Sequence, residues 1–299
     1  MRVHHLNCIS SCPLGGHLMD AGHESVLERA HLTNHCLLIE DKEGLVLIDT
    51  GFGLRDVHEP HSRLSEFFLK LLAPEFREEL TAVRQIESLG YDVKDVRNIV
   101  LTHLDFDHAG GLDDFPEAKV HMLRSEKESA VAQSTWLDRQ RYRPQQWNYQ
   151  NNWITYEAGE GDTWFGFSKV QALQGVSEDI ALIPLIGHSL GHCGVAVFNG
   201  ERWLLDAGDA YFYHDEMRFD NPYCTPGLKS YQLMMDKDHT ARVWNQDRLR
   251  QCAQDHFMDV KVFCSHDTVE FEMLAGHSAG VSAHHNRKHA SSPRYTDSP

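Results

Sequence analysis

The chain lacks any apolar run near the roughly 18 residues that a membrane span requires, and its first residues, MRVHHLNCISSCPLGGH, hold no signal-peptide core. No membrane association is expected, and the expected location is the cytoplasm. Positive charge is scarce: 28 Lys+Arg stand against 44 Asp+Glu, a formal net charge of −16. That field repels phosphate backbones and anionic lipid surfaces, so nucleic acid is not an expected partner either. The seven cysteines are odd in number and contain no CxxC pair, which argues against a disulfide framework or a zinc knuckle and for free thiols. Hydrophobic residues at 41% and charged residues at 24%, with 21 Gly and 10 Pro, are ordinary for a folded chain and exclude collagen-like, coiled-coil and disordered classes. A length of 299 residues suits two small domains or one large layered one.

The informative signal is internal repetition. HCLLIEDKEGLVLIDTGF, from His35, aligns without a gap on HCGVAVFNGERWLLDAGD, from His192. Each copy reads as strand, polar turn, strand and an Asp-x-Gly exit, Asp49-Thr50-Gly51 and Asp206-Ala207-Gly208. A helical stretch and a β-rich strand ending in histidine follow each copy, at His103 and His266. Two such halves would bury a sheet face against each other with helices outside, giving an α/β fold, a four-layer αββα sandwich with the strand-end loops of both halves along one edge.

Between the copies, residues 124–167 carry four of the six tryptophans, among them Trp147, beside Arg139, Arg141 and Arg143. This stretch reads either as an aromatic-rich insertion walling a substrate site or as helices packed on the sandwich. Leu64 to Leu72 has helical apolar spacing suited to core or homodimer packing, or to lining a substrate. Twenty-one histidines are present, and those from His277 onward sit in a polar tail, 277–299, expected to be mobile.

The densest chemistry lies in NIVLTHLDFDHAGGLDDF, where a buried strand would deliver His103, Asp105, Asp107 and His108 within six residues. Imidazole and carboxylate together suit zinc, manganese or iron. Ala109-Gly110-Gly111 would allow close backbone approach and start a helix whose positive end faces these carboxylates.

HLDFDHAGG resembles the HxHxDH motif of the metallo-β-lactamase fold hydrolases, and LIDTG at Asp49, GHSLGH at His188, AGDAYF at Asp209 and SHD at His266 follow in the same order. The resemblance spans about residues 3 to 272 and implies a single hydrolase domain over 1–276. It implies two divalent metal ions, zinc first and manganese or iron as alternatives. His103 and His188 would hold one, Asp107, His108 and His266 the other, with Asp209 bridging and Asp49 bracing the ligand loop. His192 reads as structural, and Asp206, which aligns on Asp49, as no ligand. The chain departs from the motif at Asp105, which stands where the family has a histidine. A third carboxylate lowers the Lewis acidity of the first site, leaving either a centre tolerant of manganese or iron or a weakly filled first site.

Such a centre implies hydrolysis by a metal-bound hydroxide, with Asp107 in the catalytic set and Tyr211 as the donor to a carbonyl or leaving group, Tyr213 or His214 being alternatives. Trp147, Arg143 and Tyr213 are the expected substrate contacts. Asp209 where β-lactamases have a cysteine ligand, the acidic charge and the absence of a flavodoxin-like segment count against antibiotic-hydrolysing, nucleolytic and flavodiiron members. The leading expectation is a lactonase-like hydrolase of small carbonyl esters, for example N-acyl homoserine lactones. A glyoxalase II-like thioesterase is the alternative, and a non-catalytic metal- or ligand-binding protein is the reading if Asp105 disables the first site.

Overall fold

Alternation along the repeated hairpins decides which way each side chain faces. In the computed structural model, which describes residues 1–159 and 161–279, β1 (Arg2–Asn7), β2 (His35–Asp41), β3 (Gly44–Ile48), β4 (Val96–Val100), β5 (Lys119–Leu123) and β6 (Trp153–Tyr156) form one sheet in that order. The second sheet holds β7 (Asp162–Trp164), β8 (Phe167–Ala172), β9 (Ile180–Pro184), β10 (Cys193–Phe198), β11 (Trp203–Asp206) and β12 (Val260–Phe263), again in chain order. Leu37, Ile39, Val46 and Ile48 point inward and meet Leu182, Val195, Val197 and Leu204 of the second sheet, forming the central core. Their neighbours Leu38, Leu45 and Leu47 point outward, under Ala82, Val83 and Ile86 of the Ala82–Ser88 helix. On the far side, Leu249 and Cys252 of the His239–Asp255 helix cover Ala196, Leu205 and Val262. The layers are therefore α, β, β, α. Among the described residues no helix is long and apolar enough to cross a membrane.

The repeat is structural. In each half an antiparallel hairpin, β2–β3 or β10–β11, is followed by a parallel strand, β4 or β12, reached through a helical crossover. The hairpin registers, Leu37 opposite Ile48 and Val195 opposite Asp206, differ between copies by two positions, and aligned residues take opposite faces: Ile39 and Ile48 point into the central core while Ala196 and Leu205, aligned on them, point outward. The halves also clasp each other reciprocally: the amide of His35 donates to the carbonyl of Ser265 at 2.9 Å, and that of Cys193 to the carbonyl of Thr102 at 3.0 Å. Thr102 and Ser265 immediately precede His103 and His266, so this clasp brings the two histidine-bearing strand ends to one edge.

Three sequence expectations need correction. The 124–167 stretch is not an insertion hung on the sandwich, because after its helices it supplies β6 and β7, an edge strand to each sheet. The glycines after His108 do approach closely, a Cβ on Gly110 falling 2.2 Å from Asp56, but they open a five-residue 3-10 turn, Gly110–Asp114, instead of an α-helix. The body also continues past residue 276: Ala279 is buried and its carbonyl accepts a hydrogen bond from Asn7 at 2.6 Å. The rest of the expected tail, 280–299, lies outside the described residues. Leu64, Phe68 and Leu72 pack in a core cluster with Phe52, Phe106 and Met235, so that segment serves the fold.

Candidate metal centre

His103 and His266 are each the third residue past a parallel strand, and the loops after β9 and β11 bring His188 and Asp209 to the same point. The seven side chains His103, Asp105, Asp107, His108, His188, Asp209 and His266 are all buried there. They make two groups joined by one carboxylate. In the first, Asp105 Oδ2 lies 3.4 Å from His103 Nε2 and 3.1 Å from His188 Nε2, while Asp209 Oδ2 lies 3.8 and 3.5 Å from the same two nitrogens. In the second, Asp209 Oδ1 lies 3.3 Å from His108 Nε2 and 3.1 Å from His266 Nε2, and Asp107 lies 4.0 and 3.8 Å from them. Ligands on a tetrahedral zinc sit roughly 3.4 Å apart. The buried Nε2 atoms of His103 and His108 and Oδ1 of Asp209 have no hydrogen-bond partner among the described residues. Buried polar atoms are rarely left so, and this set fits a pair of divalent metals.

In the second group the opposite ring nitrogens are fixed from behind. His108 Nδ1 meets Asp49 Oδ2 at 2.7 Å, and Asp49 also accepts from the Thr102 hydroxyl at 2.7 Å and amide at 2.8 Å. Asp49 does this with φ +53°, a strained left-handed backbone held by these contacts. His266 Nδ1 donates to the Thr33 carbonyl at 2.7 Å. His192 accepts the Asp209 amide at Nε2, 2.9 Å, and burial drives its pKa down to about 3, so it is a neutral strut for that loop. Asp206 binds the Gly208 amide at 2.9 Å, and burial pushes its carboxyl up to about 8.

Two buried ionic residues escaped the sequence reading of this centre. Glu126 ties the His103 and His188 loops together, accepting from the Leu104 amide at 3.1 Å, the Ser189 hydroxyl at 2.5 Å and the Gly191 amide at 3.0 Å. Arg141, at the end of the Trp136–Arg141 helix, grips Asp105 with two hydrogen bonds of 2.6 Å. Burial opposes ionisation of Asp105, yet this guanidinium outweighs it and holds the carboxyl well below its usual range. A buried carboxylate in place of a neutral imidazole calls for a cation; its position among three nearby arginines was not readable from spacing.

Other expected contacts lie elsewhere. Arg143 donates to the carbonyls of Arg63 and Arg139, and Trp147 packs in the outer core beneath β5, so neither reaches the cluster. Tyr211 is fully buried with its hydroxyl on both oxygens of Glu270 at 3.0 Å, within an apolar cluster behind the centre. Tyr213 packs with Leu32, Phe212 and Leu228, and His214 is held on Asp267 at 2.8 Å. Instead Phe212 stacks on His266, with centroids 5.1 Å apart, and Tyr231 packs edge-on against Phe212 at 5.7 Å. Burial, then the charges of Asp107, Asp105 and Asp209, raise the Tyr231 phenol well above its usual pKa, so it stays protonated beside the cluster.

A family model, the metallo-beta-lactamase superfamily, matches residues 31–246. The chain belongs to the metallo-beta-lactamase superfamily. It is 36% identical over 269 residues to a "probable metallo-hydrolase" of Mycobacterium tuberculosis, covering 89% of this chain and 80% of that one. An N-acyl homoserine lactonase of Bacillus cereus is 33% identical over 102 residues, 34% of this chain and 41% of the lactonase. Among solved structures, an N-acyl homoserine lactone hydrolase with N-hexanoyl-L-homoserine at its catalytic metal centre superposes at a TM-score of 0.67 and 20% identity, covering 91% of this chain and 95% of that one. At that identity the superposition establishes the fold, and divalent metal binding follows from membership of the superfamily.

Proposed function

We propose that this metallo-hydrolase cleaves small carbonyl esters in the manner of a lactonase, with acylated lactones as the leading substrate class. The carrying observation is the pair of donor groups sharing Asp209. Phe106, set between Asp105 and Asp107 in the chain, packs on Phe68 at 4.6 Å and Phe52 at 5.9 Å, with Ile9 and Met235 in the same cluster. This packed cluster fixes the loop that carries Asp105 and Asp107, and the charged centre would take the carbonyl.

His103, Asp105 and His188 would hold one metal, Asp107, His108 and His266 the other, and Asp209 would join them. When bound, such ions polarise a carbonyl and acidify water near neutral pH, with zinc, manganese and iron all compatible with these donors. Asp49 and the Thr33 carbonyl take the Nδ1 protons of His108 and His266, leaving each Nε2 as the donor atom. Phe212 shields His266 from water. The donor role expected of Tyr211 passes to Tyr231, whose protonated hydroxyl would hydrogen-bond the substrate oxygen.

This exchange of tyrosines gives opposite expected results. Tyr231→Phe should lower kcat about 100-fold, the lower end for loss of a positioned acid, with metal content and melting temperature unchanged. Tyr211→Phe should leave kcat near wild type and lower stability by about 1–3 kcal/mol, because Glu270 loses a buried donor. Kinetics and denaturant unfolding on both variants check the assignment; a Tyr211→Phe enzyme that is stable but inactive would reverse it.

The substrate reading is tested with metal-loaded enzyme on a panel of acyl lactones of varied chain length, a glutathione thioester and a phosphodiester. Lactone turnover that rises with acyl length supports the proposal. Turnover confined to the thioester would move the chain to the glyoxalase II-like class, and no ester turnover at full metal content would favour a binding protein.

A further inference from the structure

Arg141 has five N–H groups, and all five are committed. Nε donates to Asp105 Oδ1 and Nη2 to Asp105 Oδ2, each at 2.6 Å. Nη1 donates to the carbonyls of Met235 at 2.7 Å and His188 at 3.3 Å. The remaining Nη2 proton points at His188 Nε2, 2.8 Å away. A guanidinium only donates, so His188 Nε2 accepts in that contact, and the same nitrogen also lies 3.1 Å from Asp105 Oδ2, so Arg141 and Asp105 both engage it. Its lone pair is the same one that the first donor group would offer to a metal. No proton of Arg141 is left for a substrate, which excludes it as an anion-binding arginine. The second donor group is different: among the described residues, the ion-pair partners of Asp107 are His108 and His266 alone, with no lysine or arginine.

We propose that Arg141 is an internal cation competing with the first metal, so that the two sites load in sequence, the Asp107/His108/His266 site first and the His103/Asp105/His188 site second and more weakly. The guanidinium neutralises Asp105, removing the attraction that an added carboxylate would otherwise give a divalent ion. It also occupies His188 Nε2, so entry of the first-site ion breaks a hydrogen bond and sets two cations side by side at a few ångströms. With the first site empty, Arg141 keeps the donor group assembled and its charges satisfied. This inference rests on the metallo-hydrolase reading, and deepens it by making the histidine-to-aspartate departure and the arginine one device.

The test is metal binding, measured without reference to turnover. Metal-free full-length protein is titrated with Zn²⁺ and separately with Mn²⁺ by calorimetry, with stoichiometry from elemental analysis after dialysis. Wild type should bind two ions with dissociation constants at least about tenfold apart. Arg141→Met should shrink that gap by at least about tenfold through tighter binding of the weaker ion, since a full positive charge has left its neighbourhood. Arg141→Met leaves Asp105 unpaired; should it fail to fold without metal, Asp105→His/Arg141→Met, which removes both charges together, carries the same expectation. Two ions of equal affinity in wild type, or an unchanged gap in the folded variants, would overturn the proposal. If no variant binds metal, the metallo-hydrolase reading itself falls, a result distinct from an unaltered gap.

Discussion

Asp209→Ala is expected to strip the centre of metal and to lower hydrolysis by more than about 100-fold, since even partners that only orient ligands are worth roughly 10- to 100-fold. The reason is geometric. Asp209 Oδ1 faces His108 and His266 at 3.3 and 3.1 Å, and Oδ2 faces His103 and His188 at 3.8 and 3.5 Å, so this carboxylate alone touches both donor groups. Its alanine variant leaves four convergent imidazoles without their common anion. The proton affinity of His266, which burial lowers and Asp209 chiefly raises, should fall with it. Elemental analysis and the ester panel read both effects. Asp206→Asn is the matched control: its carboxyl holds only the Gly208 amide, and an asparagine keeps that acceptor. Full metal content and activity in Asp209→Ala would remove this residue from the centre.

The layers and the site's location were legible because they follow from period and repetition. Leu37 and Ile39 alternate with Leu38, and the same alternation recurs after His192, so two half-buried hairpins and their facing sheets could be read directly. The histidines at strand ends were legible for the same reason, since the clasp that gathers them links the repeats themselves. The supporting residues were not. Glu126 and Arg141 come from helices between the repeats, where no period ties a residue to the centre, and only three-dimensional packing brings them to Leu104 and Asp105. Arg141 and Arg143 are indistinguishable by composition, yet one is fully buried on a carboxylate and the other donates to the helix carbonyls of Arg63 and Arg139. The tyrosine assignment failed on direction: Tyr211 and Phe212 are adjacent, and their side chains part toward Glu270 and His266.

The same pairing makes the most direct repair of the motif a damaging one. Asp105→His would recreate the histidine that the superfamily motif carries at this position, and sequence reasoning alone expects it to favour zinc. The structure predicts instead that the metal-free single variant loses about 3–5 kcal/mol of stability, the usual cost of leaving one member of a buried ion pair alone. Arg141 would keep its carbonyl contacts with Met235 and His188 but lose both 2.6 Å bonds to Asp105, and the new imidazole would meet a cation within the cluster. Adding Arg141→Met should recover most of that loss, giving a coupling energy of about 2 kcal/mol or more between the two positions. Urea unfolding of the metal-free wild type, both single variants and the double variant measures the cycle. If Asp105→His alone is as stable as wild type, or the two changes add independently, the pair is not the unit described here. If the cycle closes as expected, the histidine at this position can return only together with loss of the arginine.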